Sequence, residues 1–514
     1  MKQKKRIPAV LACVLTAGLL LSACGGSPQS DSSATEGPGS STDAPADARA
    51  EKVAIEVMRV GWNTTTQMPK EQDNFVKKTL DEKLNIDLKM TLTSSADEFI
   101  QKLNIRAAGS DLPDVILFNG RNEFQEYVKK NILLDLEPYK EKLKPAADAI
   151  GDNVYSRVEV NGKHYAISLN PQSNWNLFWL RKDWLDKLQL PVPETLDEVF
   201  EVAKAFTEQD PDGNNKKDTF GITGSLGTLV HLINLQHGVA DALYIKDGKM
   251  VNGMFEPEMK EALAYTQKVL NSGVVDPEIA SNKGDNAKDK AFQGKAGIII
   301  SDWTQIMKDN EVEKWKGANP DAEFLMLNKL QGPKANILAA MDKSSVSGIV
   351  AISRQAAQDE TKLNRIFDLI NYTASGEGSE LVQFGQEGVH FTKENGKPVI
   401  TDRSAEAAFT WVYQLAGRPE AEYLSTKFAK QIDYIQASEQ VEVLDTYNGF
   451  VVFPQNYKAA DADRFKNEEM LKFQYGKNKL EQYDSFLEKL NTTFKYQLFQ
   501  DSAMKQLQEL GYAE

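Results

Sequence analysis

Apolar residues recur along this chain with two periods, and the periods take turns. Lys52–Val60 (KVAIEVMRV) alternates apolar and polar side chains, which predicts a half-buried strand stopping at Gly61-Trp62-Asn63. Phe75, Val76, Leu80 and Leu84 then follow helical spacing, predicting a helix over Pro69–Asn85, and Ile86–Leu92 returns to strand. A second helix is predicted over Ala96–Ala108, then a buried strand, Leu112–Phe118 (LPDVILF), running into Asn119-Gly120-Arg121. Alternating strands and helices predict an α/β fold: a mostly parallel sheet with helices on both faces. In such sheets ligands lie beyond the carboxyl ends of the strands. Trp62, Asn63, Asn119 and Arg121 stand there, as candidates for a cleft wall; for Trp62 a cap over the sheet edge is an equal alternative.

The pattern changes between Asn161 and Leu188. GKHYAIS (Gly162–Ser168) has strand composition, whereas LNPQSN (Leu169–Asn174) has Pro171, two Asn and no periodicity, and predicts a surface connection between lobes. Trp175, Phe178, Trp179 and Trp184 follow; Leu185 and Leu188 beside Trp184 predict core packing for that ring. Beyond the crossing, Pro193–Gln209 is a helix whose Thr195 and Glu198 form a capping box. Tyr244–Val251 is a hairpin turning at Asp247-Gly248, Glu256–Leu270 a helix closed by Gly273, and Lys295–Ile300 a strand ending in Ser301-Asp302-Trp303. The apolar stretch SGIVAIS and a helix near Asp359–Ala374 return the chain to the first lobe, which ends in a Gly-rich turn carrying His390. The remainder has helical periodicity, with Tyr447-Asn448-Gly449 as a loop over the cleft.

Length supports two lobes, because single cores stop growing at roughly 250–300 residues and this chain has 514. The predicted organisation is a leader over 1–23, a flexible tether over 24–50, the first lobe over 51–169 and 335–393, and the second over 170–330 and 395–514. Lys2, Lys4, Lys5 and Arg6 precede an apolar run, Ile7–Leu21, that is short for a membrane span. Leu21-Ser22-Ala23-Cys24 has the form of a bacterial lipobox, predicting cleavage before Cys24 and a lipid on its sulfur, at the extracellular face of the cell membrane. Gly25–Ala50, rich in Ser, Pro, Gly and Ala, is too polar to bury a core. Losing the leader removes four basic residues and no acidic one, taking the formal charge from −14 to −18. Such a surface repels nucleic acid and anionic lipid. Of the two cysteines, Cys13 leaves with the leader, so no internal disulfide forms.

One stretch has metal-ligand spacing. Asp210-Pro211-Asp212-Gly213-Asn214-Asn215-Lys216-Lys217-Asp218-Thr219 places side-chain oxygens at positions 1, 3, 5 and 9 and the Lys216 carbonyl at 7, the pattern that surrounds calcium at ~2.3–2.6 Å. Asn215 stands where such loops carry Gly, and Asn tolerates the left-handed conformation. Position 12 is Gly221 rather than Glu, so Thr219, a water or a distant acid must complete the shell. An ordinary Asp/Asn/Gly-rich turn is the competing reading, and the role assigned to calcium is structural. No catalytic signature is present: no G-x-S-x-G, no phosphate loop, no histidine pair at metal spacing and no thiol nucleophile. Carboxylate pairs assembled from remote positions leave a surface-anchored glycoside hydrolase or lyase as an alternative.

Taken in order, LPDVILF, NGKHYAI, WLRKDWLDKL with ETLDEVFEVAKAF, GKAGIII-SDW and FGQEGVHFT resemble the family 1 extracellular solute-binding proteins of ABC importers, the maltose-binding type, over nearly the whole mature chain. DPDGNNKKDTFG looks like the branch that includes alginate-binding proteins and LipO-type lipoproteins. The resemblance implies a two-lobed periplasmic-binding-protein (type II) fold with crossing hinge strands and no enzymatic activity. It implies a monomer that closes on an oligosaccharide and presents it to permease subunits served by a cytoplasmic ATPase. Calcium ligands carry over onto Asp210, Asp212, Asn214, the Lys216 carbonyl and Asp218, with Thr219 where the alginate binders have an acid.

A pyranose offers a face of C–H bonds and a rim of hydroxyls, so its receptor needs flat aromatics and polar partners; an unpaired buried hydroxyl costs about 1–3 kcal/mol. Trp62, Trp175 and Trp303 are the candidate stacking rings. Asn63, Asn119, Arg121, Asn174, Asp302 and His390 are the candidate polar groups. A peptide ligand is a further alternative.

Overall fold

A computed structural model describes residues 52–62, 68–170 and 174–513. The leader, Cys24, the tether and Asn63 lie outside the described residues.

Strand periodicity decides the first lobe. Val53–Val60 pairs in parallel with Ile86–Thr93 on one side and Val115–Phe118 on the other. Alternate side chains then go to opposite faces: Ile55, Val57, Val115 and Leu117 enter one core, Met58, Val60, Ile116 and Phe118 another. Both faces are covered, as expected of a sheet flanked by helices. Its far side departs from the parallel expectation, because Ile349–Ile352 runs antiparallel to both Val115–Phe118 and Ala166–Ser168. That strand arrives from the other lobe, and the direction of its return sets its sense.

The second lobe has one large core around a sheet in the order Phe324–Met326, Leu177–Arg181, Ala296–Ser301, Phe220–Thr223. A further four-stranded sheet joins the hairpin Leu243–Lys246/Lys249–Asn252 to Val443–Thr446 and Ala339–Asp342. The capping box forms as read: Thr195 accepts from the Glu198 amide and Glu198 from the Thr195 amide, opening Leu196–Glu208. The Gly-rich turn carrying His390 opens into hairpin Phe391–Glu394/Lys397–Ile400, and strand Val443–Thr446 interrupts the remainder, whose periodicity predicted helices.

The chain passes between the two lobes' cores repeatedly. Leu169 belongs to the first and Trp175 packs on the second; Ala339 belongs to the second and Val346 to the first. Val382 and Phe384, Ile400 and Phe409, and Ala416 and Tyr423 mark three more passages. Phe409, Val412, Tyr413 and Leu415 thus join the first core, although they lie beyond position 395, where the second lobe was expected to begin.

One ion pair in the first sheet gives a pH prediction. Arg106 holds both carboxylate oxygens of Glu56, at 2.8 and 2.9 Å. That fork, resisted by burial and helped by Thr91, holds the Glu56 carboxyl at about 2. The folded value lies below the unfolded one, so the contribution is present above pH ~4.5 and is lost as pH falls toward 2. Glu56→Gln is expected to cost about 1 kcal/mol at pH 6, allowing for solvent screening, and much less at pH 3, by denaturant unfolding at the two values.

Candidate functional site

The first lobe's strand Val115–Phe118 stops and the helix Arg121–Lys129 begins across Asn119-Gly120. Facing this turn are two helices from the end of the chain, Ala459–Gln474 with Asp463 and Lys466 and Tyr496–Glu509 with Tyr496 and Phe499, and Tyr457 just before the first of them. Between them lies a groove of about 510 Å³. Gly120, Arg121, Asn122 and Glu123 line it from one side; Asp241, Phe453 and the C-terminal residues line it from the other. Asp342, Asn448 and Gly449 also line it, which places Tyr447-Asn448-Gly449 at the groove as read. A second cavity, about 410 Å³, is lined by Asn174, Trp175, Asn176, Gly227, Thr228, His231 and Leu338–Ala340. Strand Ala339–Asp342 contributes to both.

Aromatic packing builds the groove's second-lobe wall. Phe453, Tyr457 and Phe499 lie within 5.7 Å of one another, ring centre to ring centre, and Tyr496 is 5.2 Å from Phe499. Its charges are committed inside the protein. Lys466 reaches Asp241 at 3.3 Å and Asp463 at 3.9 Å. Burial works to lower the Lys466 pKa, but Asp241, Tyr496 and Asp463 together outweigh it and the net shift is upward. Burial raises Asp463. Arg121 donates to the carbonyls of Arg157 and Glu159 and lies over the Phe450 ring at 5.7 Å. Burial lowers its pKa to about 10. Asp342 accepts from the Ser344 amide at 2.9 Å, the Ser344 hydroxyl at 2.6 Å and the Gly449 amide at 2.8 Å. A Cβ on Gly449 would lie 1.9 Å from Ser344 Oγ, so glycine is what lets this loop close on Asp342.

The candidate residues separate into three groups. Asn174 and Trp175 line the smaller cavity and Arg121 the larger. Trp62 is 49% exposed, with φ 48° at the end of its strand, and Asn119 is exposed; both lie outside the two cavity linings. Three need correction. Trp303 is 1% exposed, edge-on to Phe428 at 5.2 Å, with its indole N–H donating to Asn174 Oδ1 at 3.1 Å: it is core. Asp302 caps the short helix that follows, accepting from the Thr304 amide at 2.8 Å. His390 is buried, stacked on Phe75, with Nδ1 accepting from the Gln386 amide. A position at a strand end does not decide which way the side chain turns. The groove's aromatic wall was not identified from sequence, because its members are split between an irregular stretch (Phe453, Tyr457) and the last helix (Tyr496, Phe499), where apolar positions look the same as core residues.

In the Asp210–Thr219 loop, Asp210, Gly213 and Asn215 have φ of 51°, 76° and 61°, so Asn215 does take the left-handed conformation. Asp210 accepts from the Asn214 and Asn215 amides, and Asn214 Oδ1 from the Lys216 amide. Asn214 Nδ2 lies between Asp212, at 2.7 Å, and Asp218, at 3.1 Å, donating to both carboxylates. Among the described residues the acids do not converge into a group of three poised on one ion. The donor set, three carboxylates and an amide oxygen in one turn, still fits a hard cation. Thr219 does not: its hydroxyl donates to the Phe206 carbonyl at 2.8 Å and the residue is buried. Gly221 has no room for a side chain, since a Cβ there would sit 2.2 Å from the Ala203 carbonyl oxygen.

Residues 37–378 match the family model for bacterial extracellular solute-binding proteins. The chain is similar to lipoprotein LipO of Bacillus subtilis, 24% identical over 75% of this chain and 79% of that protein. It is also similar to the polygalacturonan/rhamnogalacturonan-binding protein YtcQ of the same organism, 26% identical over 76% and 74%. Among solved structures, alginate-binding protein AlgQ2 without calcium ion superposes with a TM-score of 0.70 at 17% identity, covering 88% of this chain and 98% of that one. That likeness is one of fold.

Proposed function

This chain belongs to the bacterial extracellular solute-binding proteins, a non-enzymatic family, and we propose on that premise that it captures an oligosaccharide between its lobes for an ABC importer. The observation that carries this reading is the groove between the first lobe's strand-end turn and the aromatic wall Phe453, Tyr457, Tyr496 and Phe499. The rings lining the groove supply apolar surface for the C–H face of a sugar, and Asn122, Asn448 Nδ2 and the Tyr457 hydroxyl are there for its rim, whereas the Tyr496 hydroxyl and Asn448 Oδ1 already accept from Asn252 and from the Leu243 amide. A ligand touching both walls favours the closed state by its differential affinity for it. The chain then presents that state to permease subunits, held at the outer membrane face by a lipid on Cys24 and a tether over 24–50. LipO, by its name a lipoprotein, supports the anchoring.

A thermal-shift screen of oligosaccharides against the mature protein tests the reading. Stabilisation by at least one glycan is expected; failure of all of them, with stabilisation by an oligopeptide, overturns it. Trp175→Ala, which removes a half-buried ring from the smaller cavity, is expected to weaken binding by about 1.5–3 kcal/mol, roughly 10- to 100-fold in Kd. Titration calorimetry with the best glycan measures it.

Calcium is proposed as a structural ion at Asp210, Asp212, Asn214, the Lys216 carbonyl and Asp218. The related AlgQ2 is described without its calcium ion, which supports a calcium site in that protein. When bound, the ion neutralises the loop's clustered carboxylates and orders the turn. Calcium added to chelator-treated protein is expected to raise Tm, and no heat and no shift in Tm would remove the assignment.

A further inference from the structure

The groove carries more negative than positive side chains, and both of its cations are occupied. Asp241, Asp342, Asp463 and Glu123 stand against Arg121 and Lys466. Lys466 is shared between Asp241 and Asp463. Arg121 turns its guanidinium onto the carbonyls of Arg157 and Glu159, and its Nε is buried without a partner. Releasing it toward a ligand breaks both bonds. Among the described residues, the smaller cavity is lined by no Asp, Glu, Lys or Arg.

A uronic acid puts a carboxylate on every sugar unit. A receptor for such a chain needs a cation free to meet it, preferably an arginine fork, because a buried anion without a partner is strongly disfavoured. Bringing it instead beside Asp241, Asp463 and Glu123 adds like-charge repulsion, which costs several kcal/mol at a closed interface. Tyr457, Asn122 and Asn448 Nδ2, by contrast, suit hydroxyls, and unpaired carboxylate oxygens accept hydroxyl protons well.

Resting on the oligosaccharide reading above, we infer that this groove is selective for an uncharged oligosaccharide and rejects polyuronates, although YtcQ is named for polygalacturonan and rhamnogalacturonan and AlgQ2 for alginate. The selection is made by Asp241, Asp463 and Glu123 with the commitment of Lys466 and Arg121, rather than by ring shape.

The test uses the full mature chain and two panels in a thermal-shift assay at low salt. One panel is neutral: malto-, manno-, galacto- and fructo-tetraose. The other is anionic: tetragalacturonate and an alginate tetramer. Calorimetry then compares the best neutral binder with the same oligosaccharide oxidised to the acid at C6. Neutral sugars are expected to stabilise the protein and both uronates to leave Tm unchanged, with the oxidised counterpart at least about ten-fold weaker. Uronate binding equal to or tighter than neutral binding overturns the inference and leaves the oligosaccharide reading standing. If neither panel nor any wider glycan set binds, the oligosaccharide reading fails and this inference falls with it. If the oxidised form is weakened equally in the parent and in the Glu123→Gln/Asp463→Asn variant, the exclusion is by shape, and that also overturns the inference.

Discussion

Trp303→Ala is expected to lower the unfolding free energy by about 3–5 kcal/mol, the range for removing a fully buried tryptophan, while leaving the affinity of the folded protein for its ligand within about two-fold. The indole fills the second core where strand Ala296–Ser301 ends, against Phe428, and it is 1% exposed. Its N–H donates to Asn174, next to the lobe crossing, so the ring ties the crossing to the core. Trp303→Phe separates the two contributions, keeping most of the packing while losing the bond, and is expected to cost about 1 kcal/mol from that bond plus a smaller packing term. Denaturant unfolding followed by circular dichroism, with calorimetry on the folded fraction, measures both. Trp175→Ala should give the inverse pattern, a large loss of affinity with little loss of stability. A Trp303→Ala protein as stable as the parent but blind to ligand would return Trp303 to the cleft.

Gly221→Glu restores the residue that a twelve-position calcium loop carries last, and it is expected to destabilise the protein by about 3–5 kcal/mol without tightening calcium. The new Cβ would meet the Ala203 carbonyl oxygen at 2.2 Å and its carbon at 2.6 Å. That obstacle is helix backbone, which cannot rotate away as a side chain can. The carboxylate would also be driven into a buried position. Unfolding in chelator and in calcium reads both effects. Equal stability together with tighter calcium would mean that the strand leaving the loop moves freely from helix Leu196–Glu208.

The local physics of the chain was legible in its sequence. Period-two alternation located Val53–Val60, Asp247-Gly248 located the hairpin, and Thr195 with Glu198 located a helix start, because each depends on neighbours a few residues away. Asn215 in the left-handed region follows in the same way from one residue's own sterics. Trp303 and His390 were misread because a ring at a strand end or in a Gly-rich turn is equally suited to a cleft or a core, and the choice depends on Phe428 or Phe75, distant in sequence. Asp302 carried a signal that went unused: an Asp two residues before Thr304 is an N-cap arrangement, with the aspartate turned to the helix and the following Trp carried inward. Tyr457, Tyr496 and Phe499 became a wall only when the C-terminal helices were packed opposite Gly120.

The repeated passages of the chain between the two cores have a mechanical consequence. A joint made from a single strand swivels freely, but one made from several ribbons side by side behaves as a leaf spring, compliant about one direction and stiff about the others. The passages between Ala339 and Val346, Ile400 and Phe409, and Ala416 and Tyr423 are its leaves, with the end of helix Gly376–Phe384 as a stiffer one. Motion of the jaws is therefore confined to one dominant arc, its strain is shared among distant segments, and stiffening any one of them alone leaves most of the travel intact.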